Sequence, residues 1–543
     1  MPDSSSGLDP RSVSEAIGGE ENLRLLTQLV AIAPTNLEDI ARGRWEKPNY
    51  LRAAEAIVRA ARAAGLTTRI YDPTVAGDVE GDWHGAARPN VIAERMVGAL
   101  ETVLILAHYD VVPVPAEQLG RWKSPPHTLT LRPDGRLYGR GSSDDLGSGV
   151  VASLAALRRL GDEPNLPRNV RLIVCCDEET GGEGGVEAIK AHDTKLPSGH
   201  PDRILHGDVA LIPDGSPEAT AGSSGVAFLE ASFSAPVELR EAVAYGEALV
   251  DLHEVARRWR SIYASPDWPN RHAPEPVITG RASVTRFDVG EVTPSGSGVW
   301  LVAAHAETEA SNQSAAAVTL LFQGPAEALK ELRSRLEPLM APPFRLAPAG
   351  ATSLTVPPGT LALQLIGEAT HGGYPHLGHN PVPSALGLLQ AAAERGLLDG
   401  RAKGTATFSV DLRLIPEMEL EDGVSAALAY VRAYIQNRSP TARIEAPAAR
   451  CRAGYSLPVD HPALLRLARI LKETLGASEI RGEYGGTDAS ALRDLTTPTG
   501  APMPALVFGS MDHSSHIHDA EENAEPRKIA AVATTIERFL RDP

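Results

Sequence analysis

The sequence predicts an α/β domain with a mainly parallel central sheet, interrupted by a large inserted α+β domain. Over the first 220 residues, nearly continuous apolar runs alternate with helical patterns, which is typical of parallel strands covered on both faces. After about residue 220 the strands take an alternating pattern, with Pro- and Gly-rich joints between elements. A helix and one more apolar strand return after residue 460. We therefore expect one domain built from residues 1–221 and 458–543, with residues 222–457 inserted into it.

The first domain combines Leu- and Ala-rich helices with short strands. Residues 22–33 and 49–66 carry apolar side chains at helical spacing, and residues 146–160 read as a helix between two strands. The segments predicted as strands are 67–72, 90–95, 102–107, 169–176, 208–213 and 504–510. Strand and helix alternating at this spacing favour a parallel sheet.

The inserted domain contains the same local pattern twice. AAAVTLLFQ precedes an amphipathic helix at 325–339, and GTATFSVDLRLIP precedes another at 423–437. The insertion is long enough for two such units. We predict two tandem ferredoxin-like units.

Composition and charge exclude several classes of protein. The chain has 543 residues and a formal net charge of −17 at pH 7. Because an acidic surface repels phosphate backbones and anionic lipids, we expect neither nucleic acid nor membrane as a partner. Three cysteines cannot form a disulfide framework and fit a reducing compartment. With no secretory leader and no long apolar run, the sequence predicts a cytoplasmic protein.

Candidate metal ligands stand where the predicted strands end. They are His108 and Asp110 after TVLILA, Asp144 before the helix at 146–160, Glu178 and Glu179 after NVRLIVCC, Asp214 after DVALIP, and His513, His516 and His518 after PALVFGS. Steps of 34 to 36 residues separate the first four groups, about one βα repeat each. Because the carboxyl ends of parallel strands meet at one edge of a sheet, we expect these side chains to lie together.

These residue types suit a dinuclear hydrolase. Zinc accepts imidazole and carboxylate ligands together; cobalt and manganese are alternatives. Two cations need a bridging carboxylate, and a further carboxylate must act as general base on the attacking water. The adjacent Glu178 and Glu179 can divide ligation and base catalysis between them. Asp110 can bind the second imidazole nitrogen of His108 and fix its tautomer.

The motifs HYD, GRGSSDD, DEETGG and IHDAEEN, in this order and spacing, resemble those of the co-catalytic zinc peptidases. That family includes carnosinase, dipeptidase V, carboxypeptidase G, aminoacylase and succinyl-diaminopimelate desuccinylase, and the resemblance covers nearly the whole chain. It implies that Asp144 bridges two zinc ions. His108 and Asp214 would complete one metal site, and Glu179 and His518 the other.

The resemblance also implies roles around the metals. Glu178 would be the general base, Asp110 would support His108, and the peptide bond after Asp144 would be cis. Leu146 replaces a lysine that the family often has, a change not expected to affect metal binding. His516 and His513 remain alternatives to His518.

The inserted domain carries a second signature. GEATHGGYPHLGHNPVPSAL (367–386) resembles a family segment in which His371 would stabilise an oxyanion. Arg413 matches an arginine that binds a substrate carboxylate, although it could instead pair with Asp411. The loop EYGGTDAS would place three further residues beside the substrate: Gly485, Gly486 and Thr487.

We therefore predict a zinc-dependent metallopeptidase acting on dipeptides or other short peptides. The alternative is an amidohydrolase of the same fold that removes an acyl group from an amino acid. A catalytically silent binding protein is a further alternative, against which the complete ligand set and Glu178 argue. The length of the insertion favours a monomer in which His371 acts in cis, with a homodimer as the alternative.

Overall fold

The computed structural model describes the chain apart from a set of short segments. These are residues 1–9, 36–46, 76, 80–87, 115, 162, 164–165, 180, 198, 266, 269–270, 273–274, 308–313, 340–344, 349–353, 355, 369–377, 436–440, 449–450, 478 and 543. Among the residues that are described, no helix is both long and apolar enough to cross a membrane.

The α-helices, in chain order, are α1 Pro10–Ala16, α2 Glu20–Ile32, α3 Lys47–Ala63, α4 Ala116–Leu119, α5 Ala152–Leu160, α6 Val186–Asp193, α7 Leu239–Ala256, α8 Ala326–Leu336, α9 Val382–Glu394, α10 Leu420–Ile435, α11 Pro462–Thr474, α12 Ala489–Leu492 and α13 Pro526–Arg541.

The strands are β1 Thr67–Asp72, β2 Gly77–Val79, β3 Asn90–Arg95, β4 Glu101–His108, β5 Thr130–Leu131, β6 Leu137–Tyr138, β7 Arg168–Cys175, β8 Val209–Ile212, β9 Ala219–Ser223, β10 Gly225–Phe233, β11 Val237–Glu238, β12 Arg260–Ala264, β13 Asp267–Trp268, β14 Arg271–His272, β15 Val277–Thr279, β16 Arg281–Thr293, β17 Trp300–Glu307, β18 Ala317–Gln323, β19 Arg345–Pro348, β20 Leu361–Ile366, β21 Lys403–Leu414, β22 Ala442–Glu445, β23 Cys451–Arg452, β24 Tyr455–Ser456, β25 Ile480–Glu483, β26 Ala505–Val507 and β27 Asn523–Ala524.

Contacts divide the chain into two compact units. Unit 1 comprises residues 1–223, 268–270 and 455–543, and unit 2 comprises residues 224–267 and 271–454.

Unit 1 is built on a sheet of order β2-β1-β3-β7-β4-β8-β26-β9-β24, with β25 paired to β9. The four central strands β7, β4, β8 and β26 are parallel, as the apolar runs predict. Every residue of β7 is buried. Because the four strands run the same way, the residues that follow them lie along one edge of the sheet.

The helices of unit 1 cover this sheet with apolar faces. α13 begins at Pro526, where the missing N–H of proline costs little, and buries Ile529, Val532 and Ile536. α13 contacts α5 and α11. The segment predicted as one helix at 146–160 has two parts, a π-helical turn at Leu146–Val151 and then α5.

Unit 2 contains one long antiparallel sheet, in the order β19-β20-β18-β17-β16-β21-β10-β22. The strands β10, β16, β21 and β22, with α7 and α10, have a ferredoxin-like order. The strands β17 to β20, with α8 and α9, lie in the order β19-β20-β18-β17, which matches the first half only if β17, the first of these strands in the chain, takes the place of the last one. This second half is inserted in the chain between β16 and β21, so the two halves are nested.

The core of unit 2 is apolar and rich in aromatic rings. Phe287 and Phe408 stack at 5.3 Å between ring centroids, and Tyr245 meets the edge of Phe408 at 5.7 Å. Gly246 lies against Phe408 and Leu386, since an added Cβ would approach both within 3 Å. These contacts pack α7 and α9 against the sheet.

Candidate metal centre

His108 is the last residue of β4 and is almost completely buried. Its Nδ1 lies 3.0 Å from the backbone oxygen of Asp110. Because a carbonyl oxygen only accepts, Nδ1 must carry the proton and donate it. In the neutral ring the other nitrogen, Nε2, has a lone pair, as a metal ligand requires. The backbone oxygen of Asp110 therefore holds this ring in place, and the carboxylate of Asp110 lies 3.4 Å from the same nitrogen, Nδ1. Without a cation, burial would lower the pKa of His108, but hydrogen bonds to Asp110 and Asp144 outweigh burial and raise that pKa.

Asp144 directs its two carboxylate oxygens at two different histidines. Oδ1 lies 3.3 Å from His108 Nε2, and Oδ2 lies 2.9 Å from His518 Nε2. The Asp144–Asp145 peptide bond is cis, as the resemblance implies. This arrangement gives each oxygen of Asp144 its own imidazole neighbour.

Each of the two remaining predicted ligands lies next to one of these histidines. Glu179 Oε2 lies 3.1 Å from His518 Nε2, and Asp214 Oδ2 lies 3.9 Å from His108 Nε2. Ligand atoms of His108, Asp144 and Glu179 all lie within 4.8 Å of one another. The structure thus brings together all five side chains predicted as ligands.

Of the two histidines after β26 whose side chains are described, His518 is the one whose ring is at this cluster. His516 is exposed, and the side chain of His513 lies outside the described residues. Both His516 and His518 have positive φ angles, of 50° and 61°. Such backbone costs about 1–3 kcal/mol for a residue other than glycine and is concentrated at functional sites.

The electrostatics show an excess of buried negative charge. Burial raises the pKa of Asp214 well above its ordinary value, and the charge of Asp144 adds to the effect. Burial likewise raises the pKa of Glu179 to about 7. For Asp144, burial alone would raise the pKa, but hydrogen bonds from His108 and His518 outweigh it and hold that pKa below its usual range. Carboxylates crowded together in this way favour a bound cation.

Two acids hold the ligand-bearing loops through backbone N–H groups. The carboxylate of Asp110 accepts from the N–H of Glu178 at 3.0 Å and from that of Glu179 at 3.1 Å. Asp145 accepts from the N–H of His108 at 3.2 Å. An added Cβ on Gly149 would lie 1.8 Å from Asp145 Oδ2, so only glycine allows the helix to start this close.

The sequence interpretation assigned no role to Asp145, nor to a buried pair formed by Arg140 and Glu522. These residues belong to the quoted motifs, but their partners are distant in the sequence. Charged residues next to a ligand motif were the only signal that could have identified them.

The other predicted residues fall into three groups. Glu178 is partly buried beside Glu179. Thr487 is buried, and its hydroxyl accepts from the N–H of Ala489 in the GGT loop of unit 1, which includes Gly485 and Gly486. His371 lies outside the described residues.

Arg413 lies on β21 in unit 2 and is 2% exposed. Its Nε and Nη2 donate to the two oxygens of Asp411 at 2.7 and 2.8 Å. The pairing with Asp411, which the sequence left as an alternative, is present. The third guanidinium nitrogen, Nη1, takes no part in this pair.

The chemistry of the donor set fits divalent cations. Two imidazole nitrogens and three carboxylates converge without a lysine or arginine hydrogen-bonded to any of them in the described part of unit 1. Mixed nitrogen and oxygen donors suit zinc and related metals. His108 and Asp214 would hold one cation, Glu179 and His518 a second, and Asp144 both.

Comparison with known proteins gives relatives of this architecture. The sequence is 34% identical over 140 residues to an uncharacterised metallohydrolase of Methanococcus maripaludis, covering 25% of this chain and 31% of that one. It is 33% identical over 141 residues to the Cys-Gly metallodipeptidase of Schizosaccharomyces pombe, covering 25% and 28%. The alignments thus span less than a third of these two relatives. The structure of human carnosine dipeptidase 1 matches 98% of this chain and 97% of that one, at a TM-score of 0.58 and 13% identity, which shows a shared fold.

The match that decides the family covers most of the chain. The profile of peptidase family M20/M25/M40 matches residues 104–542, from the middle of β4 to the end of α13. That range contains every residue that converges on the candidate metal centre. The chain therefore belongs to peptidase family M20/M25/M40.

Proposed function

We propose that this enzyme is a dinuclear zinc peptidase that hydrolyses dipeptides or other short peptides. The observation that carries the proposal is the geometry of Asp144, whose two oxygens each face a different histidine. A carboxylate that serves two cation sites is what a co-catalytic pair requires. When bound, the cations would polarise the scissile carbonyl and make the attacking water more acidic.

Glu178 is proposed as the general base. It would take a proton from the attacking water and pass it to the leaving amine. Two features support this role: the hydrogen bond from its N–H to Asp110 fixes the start of the loop, and its charge contributes to the raised pKa of Asp214. Glu178 is therefore close to the cluster, while Glu179 is the neighbour that contacts His518.

The contacts to substrate are proposed from the resemblance. His371 would donate to the developing oxyanion. The GGT loop, Gly485 to Thr487, would line the substrate in unit 1, and Nη1 of Arg413 would be the donor left for a substrate carboxylate. We propose a monomer working in a reducing compartment, a setting supported by the three free cysteines. Sedimentation of the purified protein tests the monomer.

The test is hydrolysis of a panel of dipeptides and N-acyl-amino acids by zinc-loaded protein, with Glu178→Ala as the paired variant. We expect dipeptide cleavage by the wild type and a loss of about 10²–10⁴-fold in Glu178→Ala, the usual contribution of a general base. Glu183→Ala, which removes an exposed glutamate of the same segment, is the matched control and should keep full activity.

Metal content separates the outcomes. Glu178→Ala should still bind two zinc ions per chain, since the base is not a ligand. Turnover of acylated substrates alone would contradict the peptidase assignment and favour the deacylase. No turnover by a zinc-loaded wild type would contradict catalysis while leaving the metal centre.

A further inference from the structure

Arg140 and Glu522 form a buried ion pair behind the metal-ligand cluster. Arg140 Nη1 donates to Glu522 Oε2 at 2.7 Å, and both side chains are 1% exposed. The guanidinium also lies 5.8 Å from the ring centroid of Trp122. Buried pairs of this kind gain little net stability over apolar packing, so a specific role deserves to be sought.

The second oxygen of Glu522 reaches the backbone of the bridging residue. Oε1 accepts from the N–H of Ser143 and from the N–H of Asp144, each at 3.2 Å. One carboxylate thus joins Arg140 to the peptide that carries Asp144. Among the described residues, no hydrogen bond or ion pair joins this carboxylate to the side-chain atoms of the predicted ligands.

Glu522 also belongs to the segment that carries His518, four residues earlier. Its own backbone oxygen accepts from the N–H of Gly139 at 2.9 Å, and Asn523 pairs with Tyr138 between β27 and β6. The segments 138–144 and 518–523 are therefore joined by the β6–β27 pair, by the hydrogen bond of Gly139 and by the carboxylate of Glu522. These segments supply the two residues, Asp144 and His518, that lie 2.9 Å apart in the cluster.

The His518 segment needs such support because its backbone is unusual. His516, His518 and Glu521 all have positive φ angles, a conformation that is costly for non-glycine residues. Glu521 binds Arg132 through both oxygens, which anchors the segment to β5 and its flank. The next residue, Glu522, connects the same segment to the backbone of Asp144.

We propose that Glu522, held by Arg140, is a positioning residue that sets the placement of Asp144 relative to His518 and so the spacing of the two cation sites. The inference rests on the metal centre of the proposed function. Outer residues that orient metal ligands typically contribute about 10–100-fold to metal affinity or activity.

The variant Glu522→Gln tests this role with almost no change of shape. An amide has one oxygen, so it cannot accept from Arg140 and from the two backbone N–H groups together. We expect the affinity for Zn²⁺ to fall by about 10–100-fold and the visible spectrum of the Co²⁺-loaded protein to change. Glu521→Gln is the matched control: it removes a neighbouring carboxylate of the same segment that pairs with Arg132 rather than with the Asp144 peptide, so it should change both readouts far less than Glu522→Gln does.

A second readout needs no metal. In the metal-free protein, hydrogen exchange at the Ser143 and Asp144 amides should be faster in Glu522→Gln than in Glu521→Gln. If Glu522→Gln does not fold, Arg140→Lys replaces it, because lysine keeps the charge and should give the same changes to a smaller degree.

The outcomes separate the two proposals. Equal Zn²⁺ affinity, Co²⁺ spectra and amide exchange in Glu522→Gln and Glu521→Gln would overturn the positioning role and leave the metal centre intact. Failure of the wild type itself to bind Zn²⁺ would overturn both.

Discussion

The two units treat buried charge in different ways. In unit 2 the buried carboxylate of Asp411 is bound through both oxygens by Arg413 on the same strand. In unit 1 the carboxylates of Glu179 and Asp214 have pKa values raised by burial, with the charge of Asp144 adding to the effect. The charge of Asp411 is therefore balanced by its neighbour on the same strand, whereas the carboxylates of Glu179 and Asp214 at the metal-ligand edge of the unit 1 sheet have no such arginine among the described residues.

This difference separates an ion pair that is complete without an added group from a cluster that requires one. A pair such as Asp411 with Arg413 holds a strand without any added group. A crowd of carboxylates destabilises the metal-free fold and persists where a function requires it. The same chemical change, carboxylate to amide, should then have opposite effects on the stability of the two units.

The largest effect is expected in unit 2. Asp411→Asn leaves the Arg413 guanidinium buried without its carboxylate, and removing one partner of a buried pair costs about 3–5 kcal/mol. Native-state hydrogen exchange of β16 and β21 measures this loss for unit 2 alone. Glu327→Gln, which alters an exposed pair on α8, is the control and should change exchange very little. A loss as small as that of the control would mean that Asp411 and Arg413 do not depend on one another.

A smaller effect of opposite sign is expected in unit 1. At pH 7, Asp214→Asn should raise the unfolding free energy of the metal-free protein, because an acid whose pKa is raised on folding destabilises the fold at any pH above its ordinary pKa. Exchange at β4 and β8 reports this gain. The variant should also lose much of the stabilisation that Zn²⁺ gives the wild type. A metal-free variant less stable than wild type would contradict the unbalanced charge inferred for unit 1.

The two units also differ in how much the sequence predicts. Three of the five predicted ligands of unit 1 could be found because each lies at or just after the end of a buried apolar strand, and parallel strands bring those ends together. His108 ends β4, and Glu179 and Asp214 follow β7 and β8. The strand at 67–72 was predicted with the bounds of β1, because a short run rich in β-branched and aromatic residues that ends at a proline is a local signal.

The features that the sequence did not predict depend on contacts between distant residues, which no local pattern encodes. Glu522 meets the Asp144 N–H across 378 residues of sequence, and its role follows from which atoms it faces. In unit 2 the helices at 325–339 and 423–437 were predicted, but the nesting of β17 to β20 between β16 and β21 was not. Strand order in an antiparallel sheet depends on cross-strand pairing between distant segments, which alternation alone leaves open.

The smallest effect is expected from the ion pair of Glu521 with Arg132, which is partly exposed and in which each charge has an opposite partner. Glu521 is 16% exposed, and its hydrogen bonds with Arg132 lower its pKa to about 2, below the ordinary value of 4.5. Because the folded-state pKa is the lower one, the stabilisation is fully present above pH 4.5 and is lost as the pH falls towards 2. Glu521→Gln should therefore cost up to about 1 kcal/mol at pH 7, and the difference from wild type should shrink below pH 4.5. Urea unfolding of both proteins at pH 7, 5, 4 and 3.5 measures it, with exchange at β16 of unit 2 as the internal reference. A difference that stays constant across this range would show that Glu521 acts through packing, and that unit 1 relies on charge only at its buried edge.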